Sequence, residues 1–314
     1  MKSNFVFAFL LMIVLLISSC GDSKKSNRNT ATTGMVIIAC CETLRPVLES
    51  EVEVFSATYD QADIIMKYVP ESEAFDLLFK DSVSAIFATK KLTAKEIAMF
   101  NKKSLFPEQA KLAVDAIALI INHSNIDSFL TVNQVRGILR GQITNWKQIN
   151  PKSKGGDIQV VFDNQKSSIV SYFVDSICGG QVDSKVMSAM THNTDVIDYV
   201  SKNKNTLGFI GVSWISNRMD SLHLSFNRKV RTVAVSESEV ADADNSFKPF
   251  QAYLVDGLYP FARDVYYIGV EPYHGLATGF SNFMASDNGQ RIILKSGILP
   301  AIAPTRLVHV RSDF

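Results

Sequence analysis

The sequence predicts an α/β protein in which strands and helices alternate along the chain. Short apolar segments typical of buried parallel strands are followed by segments with apolar residues at helical spacing. This alternation favours a parallel sheet with helices on both faces. The pattern restarts after residue 114, and an extended segment returns near residue 264. A chain of 314 residues with such a restart is long enough for two domains of ordinary size.

The first part of the chain carries strand patterns that are each followed by a helix pattern. Ser72 is a suitable N-cap for the second helix. Thr93 and Glu96 have the spacing of a capping box, which predicts that a further helix begins there. We expect strands over residues 35–39, 64–68 and 83–88, and helices over residues 43–59 and 73–79.

The later part of the chain repeats the alternation after the apolar segment that begins at Val114. Its strands are again short and apolar, and its helices carry apolar residues on one face. The last helix pattern ends before Gly297, a residue common just after helix ends. We expect strands over residues 158–162, 207–211, 232–235 and 264–270, and helices over residues 167–178, 194–203 and 277–295.

The N-terminal residues have the pattern of a secretory signal peptide over residues 1–20. A basic Lys2 precedes an apolar segment that is shorter than the ~20 residues of a transmembrane helix. Ile17-Ser-Ser-Cys20 looks like a lipobox, which predicts that Cys20 becomes the lipidated first residue of the mature protein. The alternative is an ordinary signal peptide with a chance cysteine. Residues 21–33 are rich in polar residues and are expected to form a flexible tether.

The composition fits a soluble body beyond this tether. A hydrophobic fraction of 46% against 20% charged residues is enough for a packed core. The net charge of +1 provides no basic field for nucleic acid. The remaining cysteines are Cys40, Cys41 and Cys178, an odd number without zinc-site spacing. We expect free, buried thiols; a bridge from Cys178 to Cys40 or Cys41 would join the two predicted domains.

Four motifs follow one another along the chain in a characteristic order. The first is Val114-Asp-Ala-Ile-Ala-Leu-Ile-Ile-Asn122, followed by Leu130-Thr-Val-Asn-Gln and a Trp-containing loop. The second is Asn205-Thr-Leu-Gly-Phe-Ile-Gly211, and the third is Tyr259-Pro-Phe-Ala-Arg263. The fourth runs from Gly279-Phe280 through Gly289-Gln290 to Gly297 and Pro300. In this order, the four motifs resemble those of the phosphate-binding protein family of bacterial ABC transporters.

The resemblance implies a type II periplasmic-binding-protein fold, with two α/β lobes joined by a hinge of crossing strands. One lobe would comprise residues 34–113 and 245–314, and the other residues 114–244. The ligand would lie in the cleft between them, where strand ends and helix N-termini meet. The implied function is a monomeric, lipid-anchored solute-binding protein of a bacterial envelope, facing the periplasm or exterior. It would capture a small oxyanion, phosphate by default, for an ABC permease, without a cofactor.

The resemblance also places four segments at the cleft, after three strands of one lobe and one strand of the other. Backbone N–H groups at helix starts and nearby hydroxyls are the donors that an oxyanion needs. Asp163 stands where the family has an arginine, so we expect weaker phosphate binding than is usual in the family. The candidate ligand residues are Thr43, Ser72, Thr89, Lys90, Asp163, Lys166, Ser167 and Ser168.

Alternatives remain for several of these residues. Ser167 and Ser168 either contact the ligand or simply cap the helix. Glu42 and Glu71 either cap helices or face the cleft, where they would repel phosphate. These acids and Asp163 favour a rival function, in which a lipoprotein of the same fold has a non-phosphate ligand or none and serves as an envelope interaction protein. Motifs for an enzyme or a metal site are absent from the sequence, because the histidines are scattered and no nucleophile or phosphate loop appears.

Overall fold

The computed structural model describes residues 29–216 and 228–304. The predicted signal peptide, with Cys20, lies outside the described residues. The strands are β1 (Gly34–Cys41), β2 (Ala62–Val69), β3 (Ala85–Ala88), β4 (Glu108–Ile121), β5 (Phe129–Thr131), β6 (Gln159–Phe162), β7 (Met187–Ala189), β8 (Thr206–Gly211), β9 (Arg231–Thr232), β10 (Ala234–Ser236), β11 (Ala262–Gly269) and β12 (Leu299–Pro300). The helices are α1 (Arg45–Thr58), α2 (Glu71–Phe79), α3 (Ala94–Lys102), α4 (Val132–Leu139), α5 (Ser168–Tyr172), α6 (Asn193–Lys202), α7 (Val212–Ile215), α8 (Gln251–Val255), α9 (Leu276–Ala285) and α10 (Asp287–Lys295).

The long strand β4 joins two halves of one curled sheet, whose order is β2-β1-β3-β11-β4-β8-β6-β7. Residues 108–116 of β4 pair with β11, whereas residues 117–121 pair with β8. Within each half, the strands that are followed by cleft loops pair in parallel with a neighbour, as β1 does with β2 and β6 does with β8. From Leu112 onward nearly every residue of β4 is buried, because this strand is covered on both faces. The predicted α/β class and its two lobes with a crossing strand are confirmed.

Three predicted helices differ in detail from those of the structure. Helix α2 begins at Glu71 after Pro70, so Ser72 lies in the first turn and is not the cap. The helix predicted over residues 167–178 continues after α5 as a π-helix, Phe173–Ile177. The helix predicted over residues 277–295 is interrupted by the extended Ser286. A Cβ at Gly289 would clash with Met284, so the two helices approach each other more closely than any residue but glycine allows.

Two further features bear on the predictions for the thiols and the tether. Cys40, Cys41 and Cys178 are free and buried, as expected. Residues 29–33, at the end of the predicted tether, contact the folded body. Asn29 exchanges two hydrogen bonds with the backbone of Met35, at 2.6 and 3.1 Å. The Ala31 carbonyl occupies the space that a Cβ at Gly279 would fill.

Candidate functional site

A cleft of about 160 Å³ lies between the two halves of the sheet. One wall is formed by the residues that follow β1 and β2, and the other by the loop after β6 and the start of α5. Because β11 and β4 pair antiparallel with their neighbours, β6 runs opposite to β1 and β2. The carboxyl ends of the strands in the two halves therefore point toward each other, and the loops that follow them meet at the cleft. The lining residues are Cys41, Glu42, Thr43, Tyr68, Val69, Pro70, Glu71, Asp163, Asn164, Ser167, Ser168, Thr191 and His192.

Thr43 and Ser168 connect the two walls. Their hydroxyl oxygens lie 3.0 Å apart, and both residues are 1% exposed. Thr43 is held from the second half of the sheet as well, because the Trp214 indole N–H donates to its carbonyl oxygen at 3.0 Å. Gly211 faces the Thr43 side chain so closely that a Cβ there would lie 2.8 Å from Cγ2. The Thr43 hydroxyl is therefore fixed in position by packing and by hydrogen bonds.

A buried ion pair lies behind these hydroxyls. Arg263 on β11 donates from Nε and Nη2 to Asp115 Oδ2 on β4, at 3.1 and 2.9 Å. The two side chains are 3% and 1% exposed. Arg263 Nη1 also donates to Ser168 Oγ at 2.9 Å. A guanidinium can only donate, so Ser168 Oγ accepts this bond and its own proton is available to Thr43 or to a ligand oxygen.

Asp163 and Ser167 lie beside Ser168 on the same wall. Ser167 caps α5, since its hydroxyl oxygen accepts from the Val170 N–H at 3.2 Å. Asp163 is 1% exposed, and its Oδ2 accepts from Asn193 Nδ2 at 3.3 Å. Its Oδ1 has no hydrogen-bond partner among the described residues. Burial raises the pKa of Asp163, while the Ser167 hydroxyl and the Arg263 charge act in the opposite direction.

The two glutamates of the opposite wall are held in different ways. Glu71 is 2% exposed, and its Oε1 accepts from both the N–H and the hydroxyl of Thr89, at 2.5 and 2.8 Å. The Thr89 hydroxyl is therefore used by Glu71. Glu42 is more exposed and pairs with Arg45 at 3.2 Å. Both acids line the cleft, and both also lie in the first turn of a helix.

The eight predicted ligand residues thus fall into two groups. Thr43, Asp163, Ser167 and Ser168 line the cleft, and Thr89 contacts it through Glu71. Ser72, Lys90 and Lys166 are exposed and do not line it. The Lys90 ammonium lies 5.3 Å from the centre of the Phe75 ring. The sequence reasoning did not assign to the site Tyr68, Asp115, Thr191, His192, Asn193 and Arg263.

The signal in the sequence for Asp115 and Arg263 is that they lie in the two motifs that begin at Val114 and at Tyr259. The cleft offers hydroxyl donors backed by a buried guanidinium, and three carboxylates, but no Lys or Arg is among the described residues of its lining. Within residues 29–216 and 228–304, no group of three or more His, Cys, Asp or Glu side chains is arranged to hold a metal ion. In the same part of the chain, no helix has both the length and the apolar character required to span a membrane.

Comparison with known proteins agrees with this architecture. The profile of the PBP superfamily domain matches residues 26–288. The phosphate-binding protein PstS of Staphylococcus saprophyticus is 22% identical over 277 residues, which is 86% of this chain and 80% of the relative. PstS of Staphylococcus aureus is 21% identical over 248 residues, covering 78% of this chain and 75% of the relative. These relatives are named as binding proteins and not as enzymes.

Solved structures show the same fold at low sequence identity. A substrate-binding protein of Clostridium perfringens crystallised with bound phosphate superimposes with a TM-score of 0.69 at 20% identity, covering 86% of this chain and all of that one. An ABC-type phosphate transport receptor from Vibrio cholerae gives 0.65 at 19% identity, covering 85% of this chain and all of the other. The chain therefore belongs to the PBP superfamily, has the type II periplasmic-binding fold, and is similar to phosphate-binding proteins.

Proposed function

We propose that this protein captures a small oxyanion, with phosphate as the first candidate, and delivers it to an ABC permease. The observation that carries the proposal is the pair of hydroxyls, Thr43 and Ser168, that meet across the cleft in front of Arg263. Hydroxyl donors supported by a buried cation suit an anionic acceptor oxygen. The similarity to phosphate-binding proteins supports the same ligand class.

The predicted lobes, residues 34–113 with 245–314 and residues 114–244, belong to this proposal. Hinge motion between such lobes would open the cleft and close it on the ligand. The Thr43–Ser168 contact, which joins the two walls, would then be part of the closed state.

The proposed location is a bacterial envelope, with the mature protein attached through lipidated Cys20 and acting as a monomer. The supporting observation is the lipobox-like Ile17-Ser-Ser-Cys20 after an apolar segment. An anchored binding protein facing the periplasm or the exterior would hold its ligand close to the permease. We propose no catalytic step, no cofactor and no metal for this function.

A second candidate follows from the acidic lining. Glu42, Glu71 and Asp163 line the cleft, and no lysine or arginine is among the described residues of its lining. One negative charge ~4 Å from a phosphate charge costs ~4 kcal/mol at an effective dielectric near 20. The rival function is therefore an envelope interaction protein with a different ligand or with none.

Equilibrium dialysis with radiolabelled phosphate separates the two candidates. The proposed function predicts saturable binding that unlabelled phosphate displaces and glycerol does not. Absence of saturable binding across the pH range in which the protein is folded would favour the rival.

A further inference from the structure

Asp163 lines the cleft and has a buried carboxylate oxygen without a hydrogen-bond donor among the described residues. The side chain is 1% exposed, it lines the cleft, and its Oδ1 has no partner among the described residues. A buried carboxylate that loses its hydration and keeps one oxygen without a donor is held more easily in the protonated form. Burial raises the pKa of Asp163 in agreement with this geometry.

The Ser167 hydroxyl, the Arg263 charge and nearby backbone N–H groups each lower the pKa of Asp163, but burial outweighs them. Asn193, from the start of α6, supplies a long hydrogen bond of 3.3 Å to the other oxygen. Arg263 lies behind Ser168 and lowers the pKa, but its charge is already paired with Asp115. The other titratable groups that line the cleft are Cys41, Glu42, Tyr68, Glu71 and His192. Glu42 and Glu71 are acids, so the groups around Asp163 include carboxylates as well as the Arg263 guanidinium.

A bound oxyanion makes the protonated form more favourable still. An anion in the cleft brings a second negative charge next to the Asp163 carboxylate, and like charges that share a site raise the pKa of one partner. A proton on the Asp163 carboxylate removes this repulsion, so binding of an anion favours uptake of a proton.

We propose that Asp163 takes up a proton from solvent when the cleft binds an oxyanion, so that this protein captures the anion and a proton together. The inference rests on the proposed function, because it requires an anionic ligand. The proton adds to the Asp163 carboxylate, no bond of the ligand breaks, and the proton returns to solvent when the anion leaves. The affinity for the anion should therefore rise as the pH falls, by more than protonation of the free anion accounts for.

Proton counting by calorimetry tests the inference. Inorganic phosphate is titrated into the protein at an alkaline pH at which free phosphate is the dianion, in buffers of different ionisation enthalpy. The dependence of the heat on the buffer gives the number of protons taken up. We expect about one more proton per bound phosphate in wild type than in Asp163→Asn. Asp157→Asn removes an exposed carboxylate outside the cleft lining and should match wild type.

The outcomes separate this inference from the proposed function. Phosphate binding with equal proton uptake in wild type and Asp163→Asn overturns the inference and leaves the function standing. If Asp163→Asn does not fold, wild type alone decides, since binding of the dianion without proton uptake contradicts the inference. If neither wild type nor Asp157→Asn binds phosphate, the proposed function fails, and the inference fails with it.

Discussion

The side-chain oxygens of Thr43 and Ser168 lie 3.0 Å apart, although 125 positions separate the two residues in the sequence. Each hydroxyl stands at a helix start that follows a strand end, one in each half of the sheet. If an anion oxygen bound between them, both hydroxyls could donate to it. Two charge-assisted hydrogen bonds, each roughly twice as strong as a neutral one, would then replace one neutral hydrogen bond. Under the proposed function, an oxygen of the anion would bind at the point where the two walls of the cleft meet.

The buried ion pair of Asp115 and Arg263 should contribute strongly to the free energy of unfolding. Arg263→Met leaves Asp115 buried without its counter-charge, and breaking a buried pair in this way costs about 3–5 kcal/mol. Urea unfolding of the purified variant measures the loss. Asp115→Leu combined with Arg263→Met should recover much of it, because no unpaired charge then remains buried.

The matched control is Lys103→Ala, which breaks an exposed pair with Asp81 and should change stability little. A free energy of unfolding for Arg263→Met within about 1 kcal/mol of the wild-type value would contradict this prediction.

Gly211 should limit the position of Thr43. In Gly211→Ala the new Cβ meets Thr43 Cγ2, which displaces the hydroxyl from the cleft. We expect a loss of about tenfold in phosphate affinity, the effect of weakening one hydrogen bond to a charged ligand. Thr43→Ser keeps the hydroxyl and removes Cγ2, so the double variant should bind better than Gly211→Ala alone. Calorimetry on the three variants provides the test, and equal affinities of Gly211→Ala and wild type would contradict it.

Glu51 should make the protein less stable as the pH rises. The residue is fully buried on α1, neither carboxylate oxygen has a hydrogen-bond partner among the described residues, and burial raises its pKa to about 9. The unfolded chain releases this proton near the usual value of 4.5, whereas the folded chain keeps it up to about 9. The free energy of unfolding therefore falls between these pH values, by at most about 1.4 kcal/mol per pH unit.

Urea unfolding at pH values near 6 and 8 tests this dependence. Glu51→Gln should lack the extra fall, because its side chain does not titrate. Glu49→Gln, an exposed position on the same helix, should keep it. Parallel pH profiles for Glu51→Gln and wild type would refute the assignment.

The sequence predicted the sheet better than it predicted the direction of individual side chains. Apolar segments such as the buried part of β4 locate strands reliably, because burial on both faces leaves a continuous apolar pattern. Lys90 and Lys166 were assigned by their position after strands β3 and β6, yet both point to solvent. Asn164 Oδ1 accepts from the Lys166 N–H at 2.8 Å, and such a turn fixes a side-chain direction that spacing does not reveal.

The interaction between Asp115 and Arg263 shows a second limit. The residues are 148 positions apart and meet because β4 and β11 pair antiparallel, with Asp115 directly opposite Arg263. Strand register sets this contact, and register follows from packing of the whole sheet. The motifs named both residues, but only the register indicates that they form a pair behind the cleft.

Anchoring through Cys20 should be separable from folding. Cys20→Ser removes the thiol that lipidation requires, so the protein should appear in the soluble fraction or retain its uncleaved signal peptide. Cell fractionation and mass spectrometry of the mature N-terminus measure the outcome. Cys178→Ser, a change at a buried free thiol of the folded body, is the control and should remain attached. A wild-type N-terminus without lipid would refute the prediction.

Calorimetric titration of phosphate into four alanine variants tests the cleft assignment most directly. Thr43→Ala and Ser168→Ala each remove a hydroxyl donor at the meeting point of the walls and should weaken binding about tenfold or more. Ser72→Ala and Lys166→Ala change exposed residues outside the cleft lining and should leave the affinity within about twofold of wild type. Absence of phosphate binding by wild type, or a loss of affinity in the two surface variants as large as in the two cleft variants, would contradict the assignment of the cleft as the binding site.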